Sequence, residues 1–367
     1  MGFIRNDAGT LIPPFRGEAF PWIGGDAQTI RHFLRQDAPA PPPSQEVCLD
    51  LEDGDRLLAA FHPARSAATG GTKGRSRGCI IAVHGLNGCM DAAHILWLIR
   101  PVLDAGFSLL RVNMRGAGPG RPLARGTYNA GAGADLIPFV DAASALDPGV
   151  PLFMMAHSLG GTAALNMILD FEDAARRLAG LVTIGTPLDM VATAARFHAP
   201  RNRPYVRYML SGLKQIADAV PDLDPALHRA AMAAKSVRDF DDLVTARLAG
   251  YANSAAYYAG TSVHHRLQDA PIPVLLLQGS NDPWVPSQPA LDQPRPASPP
   301  EQTDLQADLQ ADPQAGVQAG VQAGIQAGVQ VVVTRGGGHV GFHDRQLNWH
   351  IRATIAWCGA LADAATR

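Results

Sequence analysis

The sequence predicts an α/β protein built on a mostly parallel central sheet with helices on both faces. Two observations predict it. Short, continuous apolar runs alternate with helix-period segments from residue 79 to residue 187, as consecutive parallel β-α-β units do. The same pattern resumes after residue 270, beyond a long helical stretch. The 367 residues carry 31 Lys and Arg against 33 Asp and Glu, and 47% are hydrophobic. Such a chain can bury a sizeable core and is too apolar for a disordered one. Its near-zero net charge predicts no nucleic-acid partner. No run reaches the roughly 18 apolar residues of a membrane span. The opening MGFIRNDAGTLIPPFRG lacks the continuous apolar stretch of a secretory signal. The expectation is a soluble, cytoplasmic protein with no integral membrane segment. Cys48, Cys79, Cys89 and Cys358 are scattered without metal-ligand spacing. Neither a bound metal nor a disulfide framework is expected, and no cofactor motif stands out.

Taken in order, residues 1–45 read as an N-terminal extension closed by the proline-rich APAPPP. VCLDLEDG and RLLAAFHP, joined at Gly54-Asp55, read as an antiparallel hairpin. SAATGGTKGRSRG, residues 66–78, reads as a mobile surface loop. GCIIAVHG is the continuous apolar run of a strand buried on both faces. AHILWLIRPVLDAGF has helical periodicity, with Pro101 expected to kink or interrupt it. The strand SLLRVNMRG, the helix ADLIPFVDAASAL, the strand PLFMMAHS, the helix LGGTAALNMILDFE and the strand LAGLVTIGTP follow. Residues 188–269 are mostly helical and too long for an ordinary connection, so they read as a cap over the sheet edge. PIPVLLLQG and VQVVVTRGG return to strand, and LNWHIRATIAWCGALADA closes the chain as a helix. The core is therefore expected over 46–187 and 270–367. Within it, about 287–330 reads as a low-complexity loop insertion carrying a tetrapeptide repeat from Leu305.

The chemistry centres on PLFMMAHSLGG, a strand that turns at Ser158 into a helix. A serine hydroxyl is a poor nucleophile and must be exposed, held rigidly and paired with a base. A sharp strand-to-helix turn supplies the first two conditions. Small residues two before and two after the serine, Ala156 and Gly160, permit the close backbone approach. A serine that merely caps the helix is the alternative. The downstream residues weigh against it. Asp282 follows the strand PVLLLQG, and His339 follows the strand VVVTRGG. The order Ser158, Asp282, His339 is that of the α/β-hydrolase fold. All three lie after strands, where an open parallel sheet builds its sites. Ser158 is expected to attack an acyl carbon, His339 to relay its proton, and Asp282 to orient the imidazole.

An oxyanion hole needs two backbone N–H groups. Leu159, directly after the nucleophile, is one candidate. Leu86, in the loop His84-Gly85-Leu86-Asn87-Gly88, is the other, with Asn87 competing. His84 is expected to brace that loop, His157 to pack away from Ser158, and Asp189 is a fallback acid. His343 lies four residues past His339, but a metal pair is not expected without a helix and a nearby glutamate. His264 and His265 read as surface or packing residues. GAGPG at 116–120 lacks dinucleotide spacing.

These segments together resemble the YheT-like hydrolases, the branch of the α/β-hydrolases that includes the embryogenesis-associated proteins. HGLNG is similar to the family's HGLEG loop, with Asn87 in place of its glutamate. AHSLGG resembles its elbow, RDFDDLVTARLAGYANSAAYYAGTS its cap signature, and LLLQGSNDPWVP and GGHVGF its acid and base segments. FPWIGGDAQTI resembles a degraded form of its N-terminal W-x-x-N-P-H-x-Q-T motif, with Asp26 at the histidine. The resemblance implies hydrolysis of a small-molecule carboxylic ester, lipid-like or of short-to-medium acyl chain. Met190, Phe197, Tyr205, Tyr208, Met209 and Leu210 are candidates for an acyl pocket, against plain cap packing for each. An acyltransferase on the same residues, or a catalytically silent binding protein on the same fold, are the alternative readings.

Overall fold

The computed structural model describes residues 2–35, 38–65, 76–296, 328–346 and 348–365. Its strands are β1 Phe3–Asn6, β2 Gln45–Asp50, β3 Arg56–His62, β4 Cys79–Val83, β5 Ser108–Val112, β6 Leu152–His157, β7 Leu178–Ile184, β8 Val274–Gly279 and β9 Val329–Thr334. Its helices in the first half are α1 Gly25–Leu34, α2 Ala93–Asp104, α3 Ile137–Leu146, α4 Leu159–Asp170 and α5 Glu172–Ala175. Between β7 and β8 come α6 Met190–Phe197, α7 Arg203–Asp218, α8 Pro225–Ala233, α9 Val237–Phe240, α10 Ala246–Leu248 and α11 Ser254–Thr261. The short turn α12 Gln288–Leu291 and the long helix α13 Trp349–Ala365 complete the set.

The strands form one sheet in the order β1-β9-β8-β7-β6-β4-β5-β3-β2. Strands β4 to β9 pair in parallel, while β3 and β2 extend one side antiparallel and β1 the other. The parallel strands are buried on both faces, which is why they read as unbroken apolar runs. In β4, Cys79, Ile81 and Val83 join a core with Phe139 and Val140 of α3 and Leu165 of α4. Ile80 and Ala82 point the other way, to Ile95 and Leu98 of α2 and Trp349 and Trp357 of α13. The cap helices share a third core around Phe197, Met209, Leu213 and Phe240, seated on Trp284 and Val285.

Strand β4 lies between β5 and β6, so the chain leaves β4 in one direction and returns to its other side. The crevice at such a reversal is where open α/β sheets bind ligands. The loops after β4 and β6 meet there.

Three expectations need correction. Residues 1–45 are not a mere extension: β1 pairs with β9, Arg5 with Val333 and Asn6 with Val332. FIRN has no sequence pattern of its own and is strand because β9 offers an open edge. Second, of the two outcomes expected at Pro101, interruption does not occur, since α2 runs through it to Asp104. Third, the ends of the expected insertion at 287–330 are regular: α12 opens it, and Val329 and Gln330 pair with Val274 and Leu275. Most of the tetrapeptide repeat lies outside the described residues, as do 66–75 of the glycine-rich loop.

Candidate active site

Ser158 stands between β6 and α4 with φ +50° and ψ −125°. A non-glycine residue rarely holds this conformation, and it persists only where its surroundings enforce it. The enforcement is close packing. A Cβ at Gly160 would collide with the carbonyl oxygen of His84, and one at Gly161 with the Thr186 side chain. A Cβ at Gly85 would come within 2.9 Å of the Ser158 Cβ. Glycine at these positions lets the β4 loop press against the serine turn. Ala156, two residues before, is wholly buried in the sheet.

The Ser158 hydroxyl donates to His339 Nε2 at 2.8 Å. His339 Nδ1 donates to Asp282 Oδ2 at 2.8 Å. Asp282 is fully buried and its Oδ1 accepts from the backbone N–H groups of Trp284 and Val285, at 2.7 and 2.9 Å. These bonds leave the carboxylate one orientation. The Trp284 ring lies against the His339 imidazole, centroids 4.4 Å apart. Three residues distant along the chain are thus joined in one hydrogen-bonded line. Each comes from the end of a parallel strand.

Leu159 is the first residue of α4, so its N–H has no partner within the helix. The Asn87 N–H is taken: it donates to Tyr128 Oη at 2.8 Å. The Leu86 N–H has no acceptor among the described residues. His84 Nε2 accepts from the Met114 N–H at 3.0 Å, so its Nδ1 carries the proton and donates to the Gly85 carbonyl at 2.8 Å. Burial pushes His84 down to about 4. It is a neutral brace for the loop. The Asp189 carboxylate caps α6 by accepting from the Ala192 N–H, at 2.9 Å.

His157 points away from Ser158, with Nδ1 on the Val83 carbonyl at 3.1 Å, and burial pushes it to about 4. It belongs to a row of neighbouring imidazoles, of which His32, His94 and His157 also border a cavity at Ser158. His94 lies 5.0 Å from it, His350 6.0 Å, and His343 is 4.8 Å from His32. His343 is therefore a packing residue of this row. Among the described residues, no cluster of His, Cys, Asp or Glu is arranged to hold a metal ion. His264 and His265 meet edge to face, 5.2 Å between ring centroids.

Sequence reasoning missed the residues that hold the histidine loop. Thr29 Oγ1 accepts from the His339 N–H at 2.8 Å. Gln28 bonds both the N–H and the carbonyl of His343, at 2.7 and 3.0 Å. The Glu18 carboxylate accepts from Gly337 N–H and from Asn281 Nδ2, at 2.9 and 2.8 Å, and Asn281 Oδ1 accepts from the Gly338 N–H at 2.9 Å. The N-terminal segment so ties the loop carrying Asp282 to the loop carrying His339. The available signal was FPWIGGDAQTI, whose final residues include Gln28 and Thr29.

Two cavities meet at Ser158. One, of about 120 Å³, runs under the cap and includes Met190, Phe197 and Met209. The other, of about 310 Å³, runs between the β4 loop and α1 and includes Tyr208. Of the remaining pocket candidates, Leu210 sits in the cap core and Tyr205 packs on Trp284, 5.2 Å between centroids.

The family model for the serine aminopeptidases, S33 (Hydrolase_4), matches residues 74–302, more than half of the chain. The chain belongs to this α/β-hydrolase family. Among its relatives, YheT of Escherichia coli K12, which carries an esterase name, is 26% identical over 80% of this chain and 77% of its own. Phospholipase ABHD3 of Mus musculus is 26% identical over 78% of this chain and 69% of its own. Among solved structures, the Pyrococcus furiosus esterase Pf2001 superposes with a TM-score of 0.51 at 14% identity, over 98% of each chain. That likeness concerns the fold. This α/β-hydrolase sits in the YheT-like and embryogenesis-associated branch.

Proposed function

We propose that the protein is a serine hydrolase that cleaves carboxylic esters through an acyl-enzyme, with Ser158, His339 and Asp282 as its catalytic residues. The observation that carries this reading is the continuous pair of 2.8 Å hydrogen bonds from Ser158 Oγ through His339 to Asp282. Ser158 Oγ attacks the ester carbonyl carbon as its proton passes to His339 Nε2. The carbonyl oxygen becomes an oxyanion, and the Leu86 and Leu159 N–H groups receive it. The carbon–alkoxy bond then breaks, and His339 returns its proton to the leaving alcohol. Water, deprotonated by the same imidazole, attacks the acyl-enzyme and regenerates Ser158. Asp282 keeps the proton on Nδ1 so that Nε2 is the base. No cofactor enters this sequence. The apolar cavity under the cap supports short-to-medium acyl chains, and the esterase and phospholipase names of relatives agree with ester cleavage in general.

The test is covalent labelling by a fluorophosphonate together with hydrolysis of an ester series. Wild type is expected to label and to turn over esters, and Ser158→Ala to do neither. Absence of labelling in folded wild type would overturn the reading.

A further inference from the structure

The two cavities at Ser158 differ in chemistry, and an ester has two unlike halves. The cavity under the cap is walled by Met190, Ala194, Phe197, Leu213, Val237 and Val285. Among the described residues its one carboxyl group, Asp241, sits in a π-helical turn and already accepts from Tyr258 Oη at 2.7 Å. Burial raises that carboxyl to about 6. An anionic tail there would meet like charge in an apolar wall. The second cavity is more than twice as large, about 310 Å³. Its walls include Thr29, Asn87, Cys89 and His32, together with the His94 and His157 rings. Burial depresses both of those imidazoles, so they are uncharged at neutral pH. Among the described residues, none lining this cavity is Asp, Glu, Lys or Arg. The cavity reaches the surface where the half-exposed rings of Phe33 and Tyr208 meet, 5.2 Å apart.

We propose that the ester lies across Ser158 with its acyl chain under the cap and its alcohol in the larger cavity between α1, α2 and the β4 loop, and that this alcohol is uncharged. The proposal rests on the esterase reading above. Apolar methylenes gain from the apolar walls of the cap cavity, which also carries Asn129, Thr193, His198, Asp241 and Thr245. The other cavity is larger and, among the described residues, carries no carboxylate, so a bulkier alcohol fits there. A phosphate or ammonium headgroup there would be desolvated without a counter-charge, which is strongly unfavourable. Both cavities share the Ser158 and His339 walls, so the scissile bond falls where proton transfer to the leaving oxygen is possible.

The experiment compares ratios of kcat/KM. Ala194→Trp fills the cap cavity and is expected to lower the ratio of methyl octanoate to methyl acetate at least tenfold. Ala93→Trp fills the other and is expected to lower the ratio of benzyl acetate to methyl acetate at least tenfold. Ala194→Leu and Ala93→Leu, as smaller fillings, are expected to give the same signs if either tryptophan variant unfolds. Reversal of the two ratios would overturn the assignment of the halves. For charge, wild type is expected to cleave 1-octanoylglycerol at least 100-fold faster than 1-octanoylglycerol 3-phosphate or 1-octanoylglycerophosphocholine. Rates within tenfold of each other would overturn the uncharged alcohol. Fluorophosphonate labelling of each protein separates the two levels. Labelling with the wrong ratios sinks this inference alone, and no labelling in wild type sinks the esterase reading itself.

Discussion

Ser158 pairs a positive φ with a β-carbon, and the glycines around it explain how the fold tolerates that. Gly160 is the most constrained, because a methyl group there would meet the His84 carbonyl, which is backbone and cannot swing aside. Gly160→Ala is expected to destabilise the protein by roughly 1–3 kcal/mol. It should also slow fluorophosphonate labelling, because relief of the clash moves the β4 loop away from the serine. Thermal unfolding and the labelling rate check the two effects, and normal labelling with normal stability would contradict the packing argument. At this scale much was legible in the sequence. Ser158, Asp282 and His339 were named from strand ends, since a parallel sheet aims its carboxyl-terminal loops at one edge. The choice between the Leu86 and Asn87 amides was not legible, because it turns on the Tyr128 hydroxyl, 41 residues away.

Among the elements, α1 has the largest consequence that was not legible. It packs behind the histidine loop, and Thr29 meets the His339 N–H. Thr29→Val removes that acceptor and leaves a buried N–H unpaired, a loss of about 1–3 kcal/mol. If half of that is felt at the imidazole, kcat is expected to fall about two- to tenfold with KM nearly unchanged. Thr29→Ser, which keeps the hydroxyl, is expected to recover most of the rate. A Thr29→Val enzyme with unaltered kcat would show that the loop holds itself. The serine elbow is different. Its strand, turn and helix are contiguous, so local pattern suffices, whereas α1 and β1 acquire their place only by contact with residues some 300 positions later.

Over the whole molecule, the buried histidines set a pH dependence. His84 and His157 are held at about 4 in the folded chain, and His94, His343 and His350 are also depressed, chiefly by burial. The unfolded chain takes up these protons once pH falls below about 6.5. The folded chain refuses them until about pH 4. Stability is therefore full above pH 6.5 and declines as pH falls through that window. For His84 and His157 the loss is about 2 kcal/mol each by pH 5. Asp241 acts with the opposite sign, since its raised value lets the folded chain bind a proton first, but it is one group against several. The urea midpoint is expected to drop clearly between pH 7 and pH 5. A level profile would mean that the row of imidazoles takes up protons without opening.

The amino-acid pattern by itself determined the parallel core, the cap, the order of the three site residues and the positions of the glycines that let backbone approach backbone. All of these rest on local periodicity or on neighbours within a few residues, where steric and hydrophobic preferences act directly. Tertiary structure alone decided which loop amide stays unpaired, how the opening segment closes the sheet and clamps His339, and how one crevice divides into two cavities that meet at Ser158. Those features arise between groups far apart in the chain. Their energies depend on distance and burial, which no linear pattern encodes.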